Sequence, residues 1–388
     1  MKYKLKECLE KIIDNRGKNP QYYDYERYPV IDNVFIKNNF YIDIKSINRY
    51  IDEDTYNNFL RGYVEINMPI MTLVGSGIGN VGLVPSAECV IVQNTIGFKT
   101  KKDLLNSMYL YYWFLTKQNE LRSFNRGSGQ PSIKKTDVEN MTINLPSINE
   151  QEKIVKVLYD IDKKIELNNH INDNLSEQIK SIYSEIFTEY VDYKRLDEIS
   201  NVTIGKTPPR SEQECFTTNK KDVKWLSISD IGKSGMFIFD TSEKLTQVAV
   251  DKYNVKVIPK DTVILSFKLT VGRTGFATEN MTTNEAIAHF DLFDKNLNNY
   301  LYCALTYYNY SDLGSTSSIA TAINSKIVKS IKIGIPSDEQ LNKFNNLTLA
   351  IFKIIKNNES ENIKLSELRD TLLPKLINGE IDIDNIEI

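Results

Sequence analysis

The chain is written twice. Arg16-Gly17-Lys18-Asn19-Pro20 returns as Ile204-Gly205-Lys206-Thr207-Pro208, Gly79-Asn80-Val81-Gly82 as Gly272-Arg273-Thr274-Gly275, and Ile143-Asn144-Leu145-Pro146-Ser147 as Ile333-Gly334-Ile335-Pro336-Ser337. Glu150-Gln151 then matches Glu339-Gln340, and Leu175-Ser176-Glu177 matches Leu365-Ser366-Glu367. Each match alone is weak, but all keep one order at an offset near 190 residues, which chance does not produce. The chain therefore folds as two related halves.

Each half has two parts. Residues 1–146 and 191–336 mix β-rich runs, at 64–74, 81–92 and 257–267, with helical stretches expected at 103–118 and 297–310. Residues 147–190 and 337–380 hold few glycines or prolines, and each predicts one long helix, roughly 60 Å at 1.5 Å per residue, the second followed by a tail to residue 388. Ser147 and Ser337 stand as N-caps with acids in the first turn.

Both helices carry a heptad. The first seam is Ile154, Leu158, Ile161, Ile165, Asn168, Asn172, Leu175, Ile179, Ile182 and Ile186. The second is Phe344, Thr348, Ile351, Ile355, Asn358, Asn362, Leu365, Arg369, Leu372 and Leu376. Sustained heptads indicate a coiled coil. Antiparallel pairing stacks the two Asn pairs in one central layer, which costs stability and sets register. Thr348 and Arg369 read as lapses in an apolar seam. The expected fold is α+β: two β-rich mixed modules separated by two long antiparallel coiled-coil helices, a pseudo-two-fold tandem repeat. Such helices either hold the halves together or act as a spacer between two binding modules.

Charge sorts by part. Residues 1–146 carry 19 Lys+Arg against 16 Asp+Glu, and residues 191–336 carry 18 against 16, so both modules are mildly basic. The helical parts carry 5 against 9 and 6 against 10. That split allows DNA at the modules and a protein partner at the helices. Basic residues near turns are the candidate DNA contacts: Arg16, Lys18, Arg122, Arg126, Lys134 and Lys135, then Lys206, Arg210, Lys220, Lys221, Lys224, Lys268 and Arg273. Ser128, Gln130 and Asn324 are candidates to reach base edges.

Catalytic motifs fail. The four cysteines (Cys8, Cys89, Cys215, Cys303) are far apart, which excludes CxxC zinc knuckles and gives no disulfide framework. A reducing, cytoplasmic setting is expected. Two histidines, His170 and His289, leave little for imidazole catalysis or metal binding. Gly77-Ile78-Gly79-Asn80-Val81-Gly82 matches a dinucleotide fingerprint, but Leu83-Val84-Pro85 follows where a helix must start, so a β-hairpin with a glycine turn is expected. Residues 66–87 lack charge over a membrane-spanning length, yet they contain Pro69, Pro85 and four glycines, so no membrane span is expected. MKYKLKECLE has no apolar core and is not read as a signal peptide. Asn19-Pro20-Gln21-Tyr22 is only a faint match to the Asn-Pro-Pro-Tyr motif of amino-methyltransferases.

The module–helix–module–helix repeat resembles the specificity subunit of type I restriction–modification systems. The residues that carry the resemblance are Leu145-Pro146-Ser147-Ile148-Asn149-Glu150-Gln151-Glu152-Lys153-Ile154 and Leu158-Tyr159-Asp160-Ile161-Asp162-Lys163-Lys164-Ile165. To these are added the closing run from Leu365 to Ile381, and Ile264-Leu265-Ser266-Phe267 through Gly275. The resemblance covers essentially the whole chain. It implies that 1–146 and 191–336 are target-recognition domains, each reading half of a bipartite, asymmetric target in double-stranded DNA. It implies that 147–190 and 337–388 are the spacer and the docking surface for two methyltransferase subunits and, where present, two restriction subunits. S-adenosylmethionine would be bound by the methyltransferase, and ATP and Mg by the restriction subunit. This chain would hold no cofactor or metal and would direct adenine methylation without performing it. The second helix departs from the repeat by opening one residue shorter, at Ser337-Asp338-Glu339-Gln340, and by carrying Thr348 and Arg369 on its seam, so a weaker or differently registered docking surface is expected there. The competing readings are a coiled-coil protein scaffold without DNA binding and a stand-alone methyltransferase.

Overall fold

In the computed structural model, residues 1–127, 129–313 and 323–383 are described. The chain forms two compact units, Met1–Lys164 with Leu365–Ile388, and Ile165–Lys364. Each unit therefore combines one module with part of each long helix.

The first module is built on a five-stranded sheet in the order Leu9–Ile13, Thr95–Thr100, Pro69–Thr72, Val81–Leu83, Asn39–Tyr41. The second repeats that order with Ser200–Ile204, Ile287–Leu292, Val263–Ser266, Thr274–Ala277, Phe237–Ile238. In both, the last strand joins parallel to an otherwise antiparallel sheet. The repeated glycines have two separate causes. Gly79 and Gly272 sit at φ +78° and +92° in the hairpin loop, where a side chain is strained. A Cβ on Gly82 would lie 2.5 Å from Ile42 Cδ1, and one on Gly275 3.1 Å from Ile238 Cδ1, so glycine lets the isoleucine beside or on the edge strand pack close at both places. The expected hairpin in 66–87 is Pro69–Thr72 paired antiparallel with Val81–Leu83, and no helix follows Gly82. Among the described residues, no helix is long and apolar enough to cross a membrane.

A smaller sheet lies beside each core sheet. In the first module its order is Tyr50–Ile51, Tyr28–Ile31, Val90–Ile91. In the second it is Phe216–Thr217, Glu243–Leu245, Val223–Leu226, Thr282–Thr283, one strand more. The core repeats and this periphery does not. Each module closes on itself: Lys2–Lys4 pairs with Thr142–Asn144, and Asp192–Arg195 with Lys332–Ile335.

The expected helices at 103–118 and 297–310 are shorter, Ser107–Thr116 followed by Gln118–Ser123, and Asn298–Thr306. Tyr109, Tyr112 and Phe114 are buried in the first unit, Tyr300 and Leu301 in the second. Phe114 and Leu301, fully buried, each contribute about 1.5–3 kcal/mol by leaving water.

The long helices run Ile148–Ile186 and Asp338–Ile377. Both start in a capping box: Ser147 N donates to Glu150 at 2.8 Å, and Ser337 N to the Gln340 amide oxygen at 2.9 Å. The second ends where Gly379, at φ +71°, lets Glu380 N reach back to Lys375 O at 2.8 Å. In the first unit, the helix segments bury Ile154, Leu158, Ile161 and Leu376. In the second they bury Ile179, Phe344 and Ile355, with Leu175 and Ile351 partly covered. The Asn layer forms within the second unit. Asn168 donates to Asn362 at 2.9 Å and to Glu361 at 2.7 Å, and Asn358 donates to Asn172 at 2.9 Å. Rising numbers on one helix meet falling numbers on the other, so the segments are antiparallel.

The two seam lapses are accounted for. Thr348 is fully buried and its hydroxyl donates to Phe344 O at 2.8 Å, so no polar atom is stranded. Arg369 pairs at 2.7 Å with Asp162, a carboxylate the heptad reading did not place in the seam.

Candidate nucleic-acid interface

The loop leaving the first core strand carries the repeated basic residues. In the first module the buried Asn15 builds it. Its amide nitrogen donates to Gly62 O and Ile91 O, both at 2.9 Å, while its oxygen accepts from the backbone N–H groups of Arg61 and Gly62. Every polar atom of that side chain is used, which ties three segments together. Arg16 then forms a two-pronged pair with Asp14, at 2.9 and 2.7 Å, which holds the Asp14 carboxyl below its ordinary range. The Lys18 ammonium lies 4.3 Å over the Phe59 ring, and Arg61 donates to Arg16 O at 3.2 Å.

The second module builds the same place differently. Gly205 stands where a Cβ would meet Thr283 Oγ1 at 2.0 Å, and Lys206 N donates to Thr283 O at 2.9 Å, so the loop lies against the sheet. Lys206 Nζ donates to Tyr253 O at 2.6 Å. Arg210 stacks between aromatic and acidic partners, 4.1 Å from the Phe216 ring, 4.8 Å from the Trp225 ring and in a two-pronged pair with Glu243. Thr207 donates to the exposed Glu285. Burial raises the Glu285 carboxyl, but the Thr207 hydrogen bond with Lys268 and Arg210 nearby outweighs it, so the group stays ionised at neutral pH.

The other candidates, apart from Lys268 near Glu285, are scattered. Arg122, Lys134, Lys221 and Gln130 are exposed, Lys268 is exposed beside the Phe267 ring at 5.6 Å, and Lys220 is exposed with a partner of its own. Arg126 pairs with Asp137 at 2.9 Å, and Lys135 lies 3.9 Å from Glu139. Three candidates are engaged internally. Lys224 is turned inward onto Phe239 O and Glu279. The Asn324 oxygen caps the helix Ser325–Ser330. One Arg273 nitrogen donates to Ile228 O at 3.0 Å. Ser128 lies outside the described residues.

The sequence reading missed the basic–aromatic lobe of the first module. Arg49 lies 5.3 Å from the Tyr22 ring, Arg27 lies 5.2 Å from Tyr28, which stacks on Tyr56, and Tyr25 is exposed. Its signal is the tyrosine-rich run Gln21-Tyr22-Tyr23-Asp24-Tyr25-Glu26-Arg27-Tyr28. Also missed was Leu269, fully solvent-facing at φ +61° in the loop before Gly272.

His170 is exposed, 3.8 Å from Glu166, whereas the other histidine and the cysteines face inward. His289 is buried between two threonine hydroxyls, Thr203 at 3.0 Å and Thr283 at 2.6 Å, and burial pushes its pKa down to about 3. All four cysteines are buried, and burial pushes the Cys89 thiol up to about 11. Among the described residues, no group of His, Cys, Asp or Glu converges as a metal site.

Comparison with known proteins agrees with this architecture. A family profile described as type I restriction modification DNA specificity domain matches residues 1–177 and again 189–369. The chain is 26% identical over 357 residues to the type I restriction enzyme MjaIX specificity subunit of Methanocaldococcus jannaschii, covering 82% of this chain and 79% of that protein. It is 23% identical over 337 residues to the HindI specificity subunit of Haemophilus influenzae, covering 66% and 72%. The crystal structure of the type I restriction–modification S subunit from M. genitalium has the same fold, with a TM-score of 0.59 and 15% identity over 97% of this chain and 95% of that one. The chain belongs to the family of type I restriction–modification specificity subunits, and as such it is a component for DNA sequence recognition, not an enzyme.

Proposed function

We propose that the two modules each read one half of a split, asymmetric DNA target, and that the long helices set the number of unread base pairs between the halves. One observation carries this reading: the two modules repeat a single core sheet order but differ in the smaller sheet and in the loop chemistry beside it. A shared core with unlike periphery suits two readers of unlike sequences. In this reading the modules are target-recognition domains at 1–146 and 191–336, and the helical parts 147–190 and 337–388 also dock two methyltransferase subunits. Those subunits bring S-adenosylmethionine and take the target adenine out of the duplex into their own pocket. Restriction subunits, where present, bring ATP and Mg. This chain supplies neither. The complex works in the cytoplasm, where the chromosome lies.

The test is methylation mapping in a methylation-free host that expresses this chain with its neighbouring methyltransferase gene, against the methyltransferase alone. The expected result is a split adenine-methylated motif that appears only with this chain. Copurification of the two proteins with no motif and no salt-sensitive DNA binding would favour the protein scaffold instead.

A further inference from the structure

In each module the loop leaving the first core strand meets a second loop through one exposed pair of side chains. In the first module Gln93 Nε2 donates to Asn19 Oδ1 at 3.0 Å. In the second the Thr207 hydroxyl donates to the Glu285 carboxylate. The two pairs occupy one place in the repeat. Asn19 and Thr207 each follow the repeated lysine, Lys18 or Lys206. Gln93 lies between Val90–Ile91 and Thr95–Thr100, and Glu285 between the corresponding strands Thr282–Thr283 and Ile287–Leu292. Gln93 is held at φ +33°, a strained setting for a residue with a side chain.

The place repeats and the chemistry changes. Among the described residues, nothing else bonds the Asn19 amide nitrogen or the Gln93 amide oxygen. This leaves one donor beside one acceptor, the complement of adenine's N7 and N6 amine in the major groove. Glu285 offers acceptors only, the complement of the cytosine N4 amine. Cations flank both pairs, with Arg16, Lys18 and Arg61 by the first, and Lys206, Arg210 and Lys268 by the second. Cations of that kind hold phosphates and fix register, and neutral or acidic groups between them read the bases.

We propose that these two pairs are equivalent base-reading positions, Asn19 with Gln93 taking adenine in one half-site and Thr207 with Glu285 accepting from cytosine in the other. The inference rests on the DNA-reading function proposed above.

It is tested with Gln93→Glu and Glu285→Gln in the full chain, assembled with its methyltransferase. Each complex is bound to duplexes carrying every single-base change of the mapped wild-type motif. Each variant is expected to change preference by roughly tenfold at one position of one half-site, with the other half-site as in wild type. The two variants are expected to act on different half-sites. Unchanged preference at every position overturns the inference. So does an equal loss across all duplexes, which marks a phosphate contact or a damaged fold. A wild-type complex that leaves no motif overturns the underlying reading, and the inference with it.

Discussion

Asp162 and Arg369 meet at 2.7 Å between the helix segments of the first unit, with the Asp162 carboxylate 2% exposed and also accepting from Tyr112 at 2.8 Å. At the repeat offset of 190, the same two places in the second unit hold Phe352 and Ile179, both in its apolar cluster. One helix pair is thus pinned by an ion pair where the other is greasy. Burial raises the Asp162 carboxyl, and Arg369 opposes that shift without cancelling it. Removing the arginine therefore leaves a carboxylate that is costly to ionise. Arg369→Met should cost about 3–5 kcal/mol near neutral pH. The loss should shrink as the pH falls and Asp162 takes a proton in the folded state. Urea unfolding at pH 5 and pH 8 checks this, and an equal loss at both would mean that charge is not the cause.

Changing Asn168, Asn172, Asn358 and Asn362 together to Leu should raise the unfolding temperature and loosen register, because apolar contacts replace a polar layer. Thermal melts report the first effect and cross-linking between engineered cysteine pairs reports the second. An unchanged melting temperature would count against a buried layer.

Asn15→Ala strands buried peptide groups of Gly62 and Ile91. Unpaired buried groups cost about 1–3 kcal/mol each, so a loss of at least about 2 kcal/mol is expected in chemical denaturation. Asn15→Asp, which sets a buried carboxylate oxygen against the Gly62 and Ile91 carbonyls where the amide donated, should lose at least as much as Asn15→Ala.

His289 is neutral in the fold down to about pH 3, whereas an unfolded chain protonates it near its ordinary value of 6.5. Its folded pKa is depressed, so the stability tied to it is present above pH 6.5 and is lost as the pH falls toward 3. His289→Gln should flatten the stability curve across that window, as read by melts at stepped pH. A curve as steep as wild type would place the acid sensitivity elsewhere.

Adding one heptad to both helices adds roughly 10 Å of helix, about three base pairs of B-form DNA. Methylation mapping should then show both half-sites intact and the unread gap longer by about that amount. An altered half-site would mean that the helices do more than measure distance.

Much of this architecture was legible because it depends on local pattern. The doubled glycines marked one turn and one close approach, and the Asn pairs marked the polar layer. Other features were not legible. Phe352 and Leu373 are buried where the strict heptad named Ile351 and Leu372. A straight helix drifts about 20° per heptad, so its buried stripe slides off a fixed register. Arg369 looked like a lapse because its partner lies 207 residues earlier in the chain. Asn19 and Gln93, 74 residues apart, become a pair only through the loop that Asn15 ties down. The extra strand Phe216–Thr217 has no counterpart in the first half that a repeat search could find.

Each module begins and ends on neighbouring, hydrogen-bonded strands, Lys2–Lys4 beside Thr142–Asn144 and Asp192–Arg195 beside Lys332–Ile335. Entry and exit therefore share one doorway. The second module, closed in this way between the two long helices, is a cassette: it can be lifted out and another set in at two peptide junctions, without rerouting a strand of the core. Recombination at those junctions would give a lineage new address labels while its coiled coil stayed as it was.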